Sequence, residues 1–418
     1  MTRWLTLLTC IWLFCPSPAL AEPAPEAGAA ARQAGEEIAL RGFRSRHYVI
    51  YTNLSREETL PYGRHMDRVF DQYQRRFASF MPRNPDPMPL YLLRTREQYI
   101  RYLANYHIDA SNAGGMFFVT HAAQGLATWV ESGSRQKTFR ILQHEGFHQF
   151  AWNYLGPNLP VWLNEGLAQY FEDAILTNQG MQLGIPGGTR IERVHRAIEQ
   201  DNVLSFEQLR DVTAEHWGRT LRNRPDQSSL LYAQSWSVVY FLIHADEGRH
   251  KDRLLHYLKL LNRGSDNDQA WLMSFGTAGL AALEQSWRGY ASRQKPSEIA
   301  TATDRLVFLG TGLRLLDERG QNMPGSIDQL RDELQRFGFS LRKRELGIIR
   351  DQSAQDEELF RFERGMVGGK PYEAEFRLLT PSRSDLPPRI VAPGLSPEPT
   401  LIWYRDADGD LVLDIEYR

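Results

Sequence analysis

The sequence predicts an α+β protein in which alternating strands and helices are followed by a mainly helical segment and then by a smaller α+β unit. Three observations support this fold class. Runs of branched and aromatic residues alternate with helical periodicity up to about residue 130, helical spacing dominates to about residue 294, and strand-like runs return towards residue 418. After a leader, roughly 400 residues remain, so two folded units are expected.

The first 21 residues have the pattern of a secretory signal peptide. Arg3 precedes an apolar run over residues 4–14, and Ala19-Leu20-Ala21 has the small residues of a cleavage site. The run is too short to cross a bilayer, and no later run is long enough for a membrane helix. We therefore expect a secreted or periplasmic protein whose mature chain begins at Glu22.

Both cysteines of the chain, Cys10 and Cys15, lie in this leader, so we expect a mature protein without disulfides. A lipid anchor on Cys15 is disfavoured, because bulky residues precede it. The 49 basic and 51 acidic residues nearly balance. No broad basic surface is implied, which argues against a nucleic-acid partner.

Residues 22–38 are rich in Ala, Pro and Glu and predict a disordered linker. The segment that follows, 39–296, is the predicted main domain. Its first elements are predicted as strands at 47–52, 88–93, 114–119 and 125–130, with helices at 60–80 and 96–106. A strand-rich lobe is therefore expected before residue 131.

Residues 141–172 carry the chemistry and predict two helices joined by a turn that contains proline. His144 and His148 are four residues apart, so a helix places both imidazoles on one face, where they can bind one metal ion. A hydrolytic zinc site needs a third protein ligand, and Glu165 on the second helix is the candidate. Glu145 borders the open position and can act as general base.

These residues resemble the core of the gluzincin metallopeptidases. His144-Glu145-Gly146-Phe147-His148 is the HExxH motif, and Asn164-Glu165-Gly166-Leu167-Ala168 is closest to the aminopeptidase-like branch. The resemblance implies a thermolysin-like catalytic domain, one Zn²⁺ ion on His144, His148 and Glu165, Glu145 as base, and a peptide or protein substrate. The residues alone leave open whether zinc or another divalent ion is native.

Two departures from the family pattern bear on function. Thermolysin-like enzymes orient the first histidine with an aspartate at the position of Gln169, so we expect the Gln169 oxygen or a backbone carbonyl to replace it. By resemblance, 114–119 or 125–130 is the strand that binds extended peptide. The aminopeptidase branch has a glutamate there that grips a free amino terminus, and Phe117-Phe118 lacks it. This absence favours an endopeptidase.

Further helices are predicted at 193–200, 205–210, 230–244, 249–261 and 271–294. The apolar 230–244 helix should pack beneath the site. Enzymes of this type stabilise the oxyanion with a phenol or imidazole, and Tyr232 is the candidate from its place at the start of this helix. The alternative is a core tyrosine, and the rival donors are Tyr240, Tyr154 and His216.

Residues 301–418 are predicted as an accessory α+β domain after a boundary at Lys295-Pro296-Ser297. A helix is expected at 326–337 and strands at 376–379, 401–404 and 411–417. The acidic run 406–410 does not match a calcium-binding EF-hand loop, because its Gly409 is at the fourth position. It predicts a hairpin turn instead.

Three functions remain open on the sequence. The leading interpretation is a secreted zinc endopeptidase. The second is a catalytically degenerate relative that binds peptide or cell-wall material, and the third is a structural export protein whose histidines only pack.

Overall fold

A computed structural model of the chain describes residues 38–131, 134–276, 280–367 and 370–418. The predicted leader, 1–21, and all of the predicted linker 22–38 except Ile38 lie outside the described residues. The described part is a mixture of helices and strands, so the α+β prediction is confirmed. None of its helices is long and apolar enough to span a membrane.

The N-terminal segment forms a five-stranded sheet with helices on both faces. Its strands are β1 (Arg41–Arg44), β2 (Tyr48–Thr52), β3 (Met88–Leu93), β4 (Gly115–Val119) and β5 (Gln124–Trp129), in the order β1-β2-β3-β5-β4. The parallel pairs β2/β3 and β3/β5 need crossovers, and α1 (Arg56–Arg76) and α2 (Arg96–Ala104) provide them. The β4/β5 hairpin is antiparallel and leaves β4 at the sheet edge.

Both crossover helices begin at side-chain caps. The Ser55 hydroxyl accepts from the backbone N–H of Glu58 while the Glu58 carboxylate accepts from the N–H of Ser55, and Thr95 and Gln98 repeat the arrangement for α2. The capping box starts α1 at Arg56, several residues before the start near residue 60 that the apolar spacing predicts. Strand β1, with the sequence RGFR, was not predicted; it has no buried residue.

Helix α3 (Arg135–Phe150) lies across the sheet and carries the HExxH motif. It continues into a π-helical turn at Ala151–Leu155, and α4 (Val161–Glu172) follows. One core joins α1, α3 and the sheet, with Met66, Phe70, Leu90, Phe147 and Phe150 all buried. The other sheet face packs on α2 through Tyr99, Leu103 and Trp129.

The helical part is organised around α8 (Pro225–His244), which packs against α4 as predicted for the 230–244 segment. The helices around it are α5 (Gly188–Glu199), α6 (Phe206–Arg210), α7 (Ala214–Asn223), α9 (Lys251–Asn262), α10 (Asn267–Phe275) and α11 (Leu280–Ala291). Buried tryptophans fill the space between them, among them Trp162, Trp217, Trp236 and Trp287.

The C-terminal segment builds a second core on α12 (Glu298–Glu318) and α13 (Ile327–Arg336). A six-stranded sheet covers them in the order β12-β13-β14-β15-β6-β7. Its strands are β6 (Ile175–Thr177), β7 (Gly180–Gln182), β12 (Arg377–Leu379), β13 (Arg389–Val391), β14 (Pro399–Arg405) and β15 (Leu411–Tyr417). Two hairpins complete it: β8 (Ser340–Glu345) with β9 (Ile348–Ser353), and β10 (Arg361–Val367) with β11 (Lys370–Glu375).

The predicted hairpin through Asp406–Asp410 is confirmed, since β14 and β15 pair antiparallel across it. The 21-residue helix α12 was not predicted. The strands β6 and β7 directly follow α4 yet belong to the C-terminal sheet, where Thr177 pairs with Tyr417. This sheet therefore crosses the predicted boundary near Lys295, and the division into two domains stays a prediction.

Candidate metal centre

Helix α3 places the two motif histidines together. Nε2 of His144 lies 3.1 Å from Nε2 of His148, as the four-residue spacing predicts. His144 is 2 % exposed. Both imidazoles therefore present a nitrogen to one point that is nearly closed to bulk water.

Helix α4 brings Glu165 to the same point. Its Oε2 lies 3.4 Å from Nε2 of His144 and 3.5 Å from Nε2 of His148. This oxygen is buried and has no hydrogen-bond partner among the described residues. Burial by itself raises the pKa of Glu165, but the facing imidazoles of His148 and His144 outweigh it and hold the pKa at about 2.

The spacing of the three donor atoms fits a zinc ion. Two ligands about 2.0–2.1 Å from zinc at a tetrahedral angle lie about 3.3–3.4 Å apart, close to the separations of 3.1, 3.4 and 3.5 Å. Two imidazoles and a carboxylate are also ligands that zinc accepts. A cation would satisfy the Glu165 oxygen, which has no hydrogen-bond partner among the described residues, so the residues present fit the metal that the sequence predicts.

Glu145 follows His144 in α3, and its carboxylate is fixed by the edge of the sheet. The backbone N–H of Phe117 in β4 donates to Oε2 of Glu145 at 2.9 Å, and Glu145 is 4 % exposed. The approach requires Gly115, because a Cβ there would lie 3.2 Å from Cγ of Glu145 and 2.4 Å from Cγ2 of Ile141. The glycine lets α3 cross the edge strand closely enough for this contact.

The acceptor for His144 is Glu172, a residue that the sequence reasoning missed. Nδ1 of His144 lies 3.1 Å from Oε2 of Glu172. Since the carboxylate accepts, this contact places the imidazole proton on Nδ1 and leaves the Nε2 lone pair for a metal. The expectation for Gln169 is wrong: its Nε2 donates to the carbonyls of Tyr232 and Glu165 instead.

Two arginines hold Glu172 in its charged form. Nη2 of Arg140 lies 2.8 Å from Oε1 of Glu172, and Nη2 of Arg190 lies 3.5 Å from Oε2. Burial raises the pKa of Glu172, but Arg140, His144 and Arg190 reverse this and keep the pKa far below its usual range. Glu172 follows Glu165 by seven residues, or two helical turns. The sequence spacing by itself therefore places Glu172 on the same face of α4 as Glu165.

Gln143 fixes the end of α4 next to α3. Its Nε2 donates to the carbonyls of Phe171 at 2.7 Å and Ala174 at 3.0 Å. Gln143 precedes His144 in the chain. Its hydrogen bonds to the end of α4 therefore hold Glu172 beside that histidine.

His148 has no comparable acceptor, since its Nδ1 has no partner in the described part of the chain.

The glycines of both motifs stand at close helix contacts. A Cβ on Gly166 would lie 2.5 Å from the backbone oxygen of Ser235 in α8. A Cβ on Gly146 would lie 2.7 Å from Cε of Met66 in α1, which is the end of a flexible side chain. Gly166 is therefore the stricter requirement, and it sets the distance between α4 and α8.

The four candidate oxyanion donors make different contacts. Tyr232 is buried in α8, and its ring meets that of Trp217 edge-on at 4.9 Å. The Tyr240 hydroxyl donates to the carbonyl of Gly184 at 3.4 Å, while Tyr154 packs on Phe150. His216 is exposed on α7. The catalytic role of Tyr232 stays a prediction.

Of the two strands considered for peptide binding, only β4 lies at a sheet edge, because β5 is enclosed between β3 and β4. The strand 114–119 is therefore the one with a free edge, and it is also the strand that contacts Glu145.

The chain was compared with known proteins and with models of protein families. No curated protein matches the chain. Residues 139–264 match the family model described as a protein of unknown function (DUF1570). This range runs from within α3 to just past α9. It includes His144, Glu145, His148, Glu165 and Glu172.

Proposed function

We propose that this protein is a zinc-dependent endopeptidase of gluzincin type with a thermolysin-like catalytic domain. The observation that carries the proposal is the convergence of His144, His148 and Glu165 on one buried point, with Glu145 next to His144 in the chain and held by the N–H of Phe117. We also propose that the protein is exported and cleaved after Ala21, an inference that rests on the sequence.

A zinc ion bound by these three residues would lower the pKa of a water molecule and polarise a peptide carbonyl. The protein's own residues supply the rest. Glu145 accepts the proton of the attacking water and can return it to the leaving amine. The N–H of Phe117 keeps that carboxylate at the sheet edge, where a peptide in extended form can pair with β4.

Glu172 contacts Nδ1 of His144, the ring nitrogen that does not face the metal position. It fixes the tautomer and the ring orientation of His144, as acidic groups behind metal-bound histidines commonly do. Tyr232 remains the candidate to donate to the oxyanion. An intact ligand set with a charged partner for His144 favours hydrolysis over the degenerate, binding-only alternative.

The first test measures metal. The purified chain should contain about one zinc ion per molecule by mass spectrometry of the metal, and His148→Ala should contain almost none. His256→Ala, an exposed histidine on α9, is the matched control and should keep the metal. A chain without bound zinc that also fails to take it up would reject the proposal.

The second test measures cleavage of a denatured proteome. Glu145→Gln should retain zinc but cleave at least about 10²-fold more slowly, the usual contribution of a general base. Glu199→Gln, an exposed residue on α5, should cleave at the wild-type rate. Zinc binding without cleavage by the wild type would favour the binding-only alternative, and undiminished cleavage by Glu145→Gln would exclude this residue as base.

A further inference from the structure

The proposed metal centre and its base are almost completely enclosed. His144, Glu145 and Glu165 are each at most 4 % exposed, and the side chain of His148 is 11 % exposed. The space beside His148 has a volume of about 10 Å³, which is room for about one water molecule. A peptide strand occupies a layer about 4.8 Å wide beside the strand with which it pairs. Substrate therefore cannot reach these residues unless part of the surrounding wall moves.

Two parts of this wall are held in place. Phe117 belongs to β4, which pairs with β5 over its whole length. The π-helical turn Ala151–Leu155 is tied to α9, because Asn262 donates to the carbonyls of Tyr154 at 3.2 Å and Leu155 at 3.0 Å. Motion of either part would break several hydrogen bonds. The loop that connects the turn to α4 is the remaining part.

The connecting loop, residues 156–160, is held by one apolar side chain. It contributes Pro157 and Leu159 to the wall. Pro157 and Asn158 are exposed, and within the described part of the chain residues 157–159 make no backbone hydrogen bond. Leu159, by contrast, is only 6 % exposed. The loop is therefore fastened to the wall mainly by the burial of this leucine.

Both ends of the connecting loop are suited to act as hinges. Gly156 has a φ of +99°, a backbone conformation that glycine adopts without strain. At the other end α4 begins at Val161, and no side chain of the described residues caps it. The carbonyl of Pro160 accepts from the N–H groups of Leu163 and Asn164, each at 3.0 Å. Residues at the ends of elements commonly absorb the backbone change in such motions.

We propose that residues 156–160 form a lid over the metal centre and that Leu159 is the side chain that holds this lid closed. This inference rests on the proposed function and adds the regulation of its site. The structure is the closed state, and substrate enters when Leu159 leaves its buried position. Burial of a leucine side chain favours the closed state by about 10–100-fold, so a minor open state is populated before substrate arrives.

Zinc exchange measures the lid without requiring catalysis. A hydrated zinc ion is larger than one water molecule, so its uptake and its release both depend on the open fraction. The dissociation constant does not, because the lid supplies no ligand. Leu159→Ala should speed both rates by about tenfold and leave the dissociation constant within about twofold. Release is followed with the chromophoric chelator 4-(2-pyridylazo)resorcinol, and uptake by stopped-flow fluorescence of the zinc-free chain.

Two further variants grade and control this effect. Leu159→Val removes one methylene group and should speed both rates by about fourfold, which keeps the test available if alanine disturbs folding. Leu283→Ala removes the same atoms from a leucine of similar burial, 8 % exposed, in α11, which packs against α5, α6 and α8. It should lower Tm but leave both zinc rates within about twofold.

Amide hydrogen exchange gives a readout that needs no metal. Motion of the lid displaces the carbonyl of Pro160, to which the N–H groups of Leu163 and Asn164 are bonded. In the zinc-free chain, Leu159→Ala should therefore speed exchange of these two amides by about tenfold. Leu283→Ala should leave the exchange of both amides unchanged.

The outcomes separate the lid from the metal centre. Faster exchange at Leu163 and Asn164 in a chain that never binds zinc would support the lid and count against the metal centre. Zinc binding with unchanged rates and unchanged amide exchange in both Leu159 variants would overturn the lid and leave the metal centre standing. Faster release with unchanged uptake would also overturn the lid, because Leu159 would then support the ligands rather than control access.

Discussion

Glu172 determines which ring nitrogen of His144 carries the proton in the candidate metal centre. It accepts from Nδ1 of His144 and is itself paired with Arg140 and Arg190. A glutamine at this position would keep the shape but lose the charge that strengthens the ligand. We predict that Glu172→Gln weakens zinc binding by about 10–100-fold, measured by competition with a chromophoric chelator.

Gln169 provides the contrasting variant. Because its amide binds the carbonyls of Tyr232 and Glu165, Gln169→Leu should retain zinc affinity within a few-fold, even if it lowers Tm. The reverse result, a large loss in Gln169→Leu and none in Glu172→Gln, would restore the assignment expected from the sequence.

At the scale of the element, the contact between α4 and α8 depends on Gly166. A methyl group there meets the backbone of Ser235, which cannot rotate away. We predict that Gly166→Ala lowers the free energy of unfolding by about 1–3 kcal/mol, the usual cost of overpacking, despite the better helix propensity of alanine. Denaturant titration measures this change.

The matched control for Gly166 is Gly289 in α11. A Cβ there would meet only the flexible end of Arg293 at 3.5 Å. Gly289→Ala should therefore stabilise the protein by about 0.5–1 kcal/mol. Equal effects of the two substitutions would show that close packing at Gly166 is not limiting.

The start of α1 predicts a dependence of stability on pH. The hydrogen bonds from Arg94 lower the pKa of Glu58 to about 2, against 4.5 for the free group. Because the pKa is lower in the folded state, the stabilisation is complete above about pH 5 and is lost as the pH falls from 4.5 towards 2. Glu58 is about a quarter exposed, so the contribution is about 1 kcal/mol.

Glu58→Gln tests this prediction because glutamine preserves the capping box. The difference in unfolding free energy between wild type and variant, measured with chelator present, should be about 1 kcal/mol at pH 7 and vanish near pH 2. Glu57→Gln, an exposed neighbour, should show no comparable pH dependence. A difference that persists at pH 2 would refute the assignment.

At the scale of the whole molecule, the C-terminal sheet is tied to the helix that carries the histidines. Asp414 of β15 lies 3.1 Å from Nη1 of Arg135 and accepts from Nε2 of Gln136 at 3.0 Å, both at the start of α3. The guanidinium of Arg135 also stacks on Tyr404. The C-terminal segment therefore positions the beginning of α3.

We predict that Asp414→Ala lowers the free energy of unfolding by about 3 kcal/mol, because it leaves the largely buried Arg135 without its partner. Denaturant unfolding followed by circular dichroism measures the loss. Glu416→Gln removes an exposed ion pair from the same strand and should change stability by less than about 1 kcal/mol. Similar losses in both variants would contradict the role assigned to Asp414.

The sequence by itself determined features whose geometry is local. The four-residue spacing of His144 and His148 placed both imidazoles on one helix face, and Asp406–Asp410 gave a hairpin turn. Alternating residues predicted β2 to β5 of the first sheet, but not β1. Such features follow from the helical and extended repeats of the backbone, which neighbouring residues dictate.

Only the tertiary structure decided which distant groups meet. It placed Glu172 rather than Gln169 on His144, the N–H of Phe117 on Glu145, and β6 beside β15 of the C-terminal sheet. The repeat of a helix restricts a side chain to a face but does not say which other element covers that face. That choice depends on how α3, α4 and the sheet edge pack, and close contacts such as those at Gly115 and Gly166 set it.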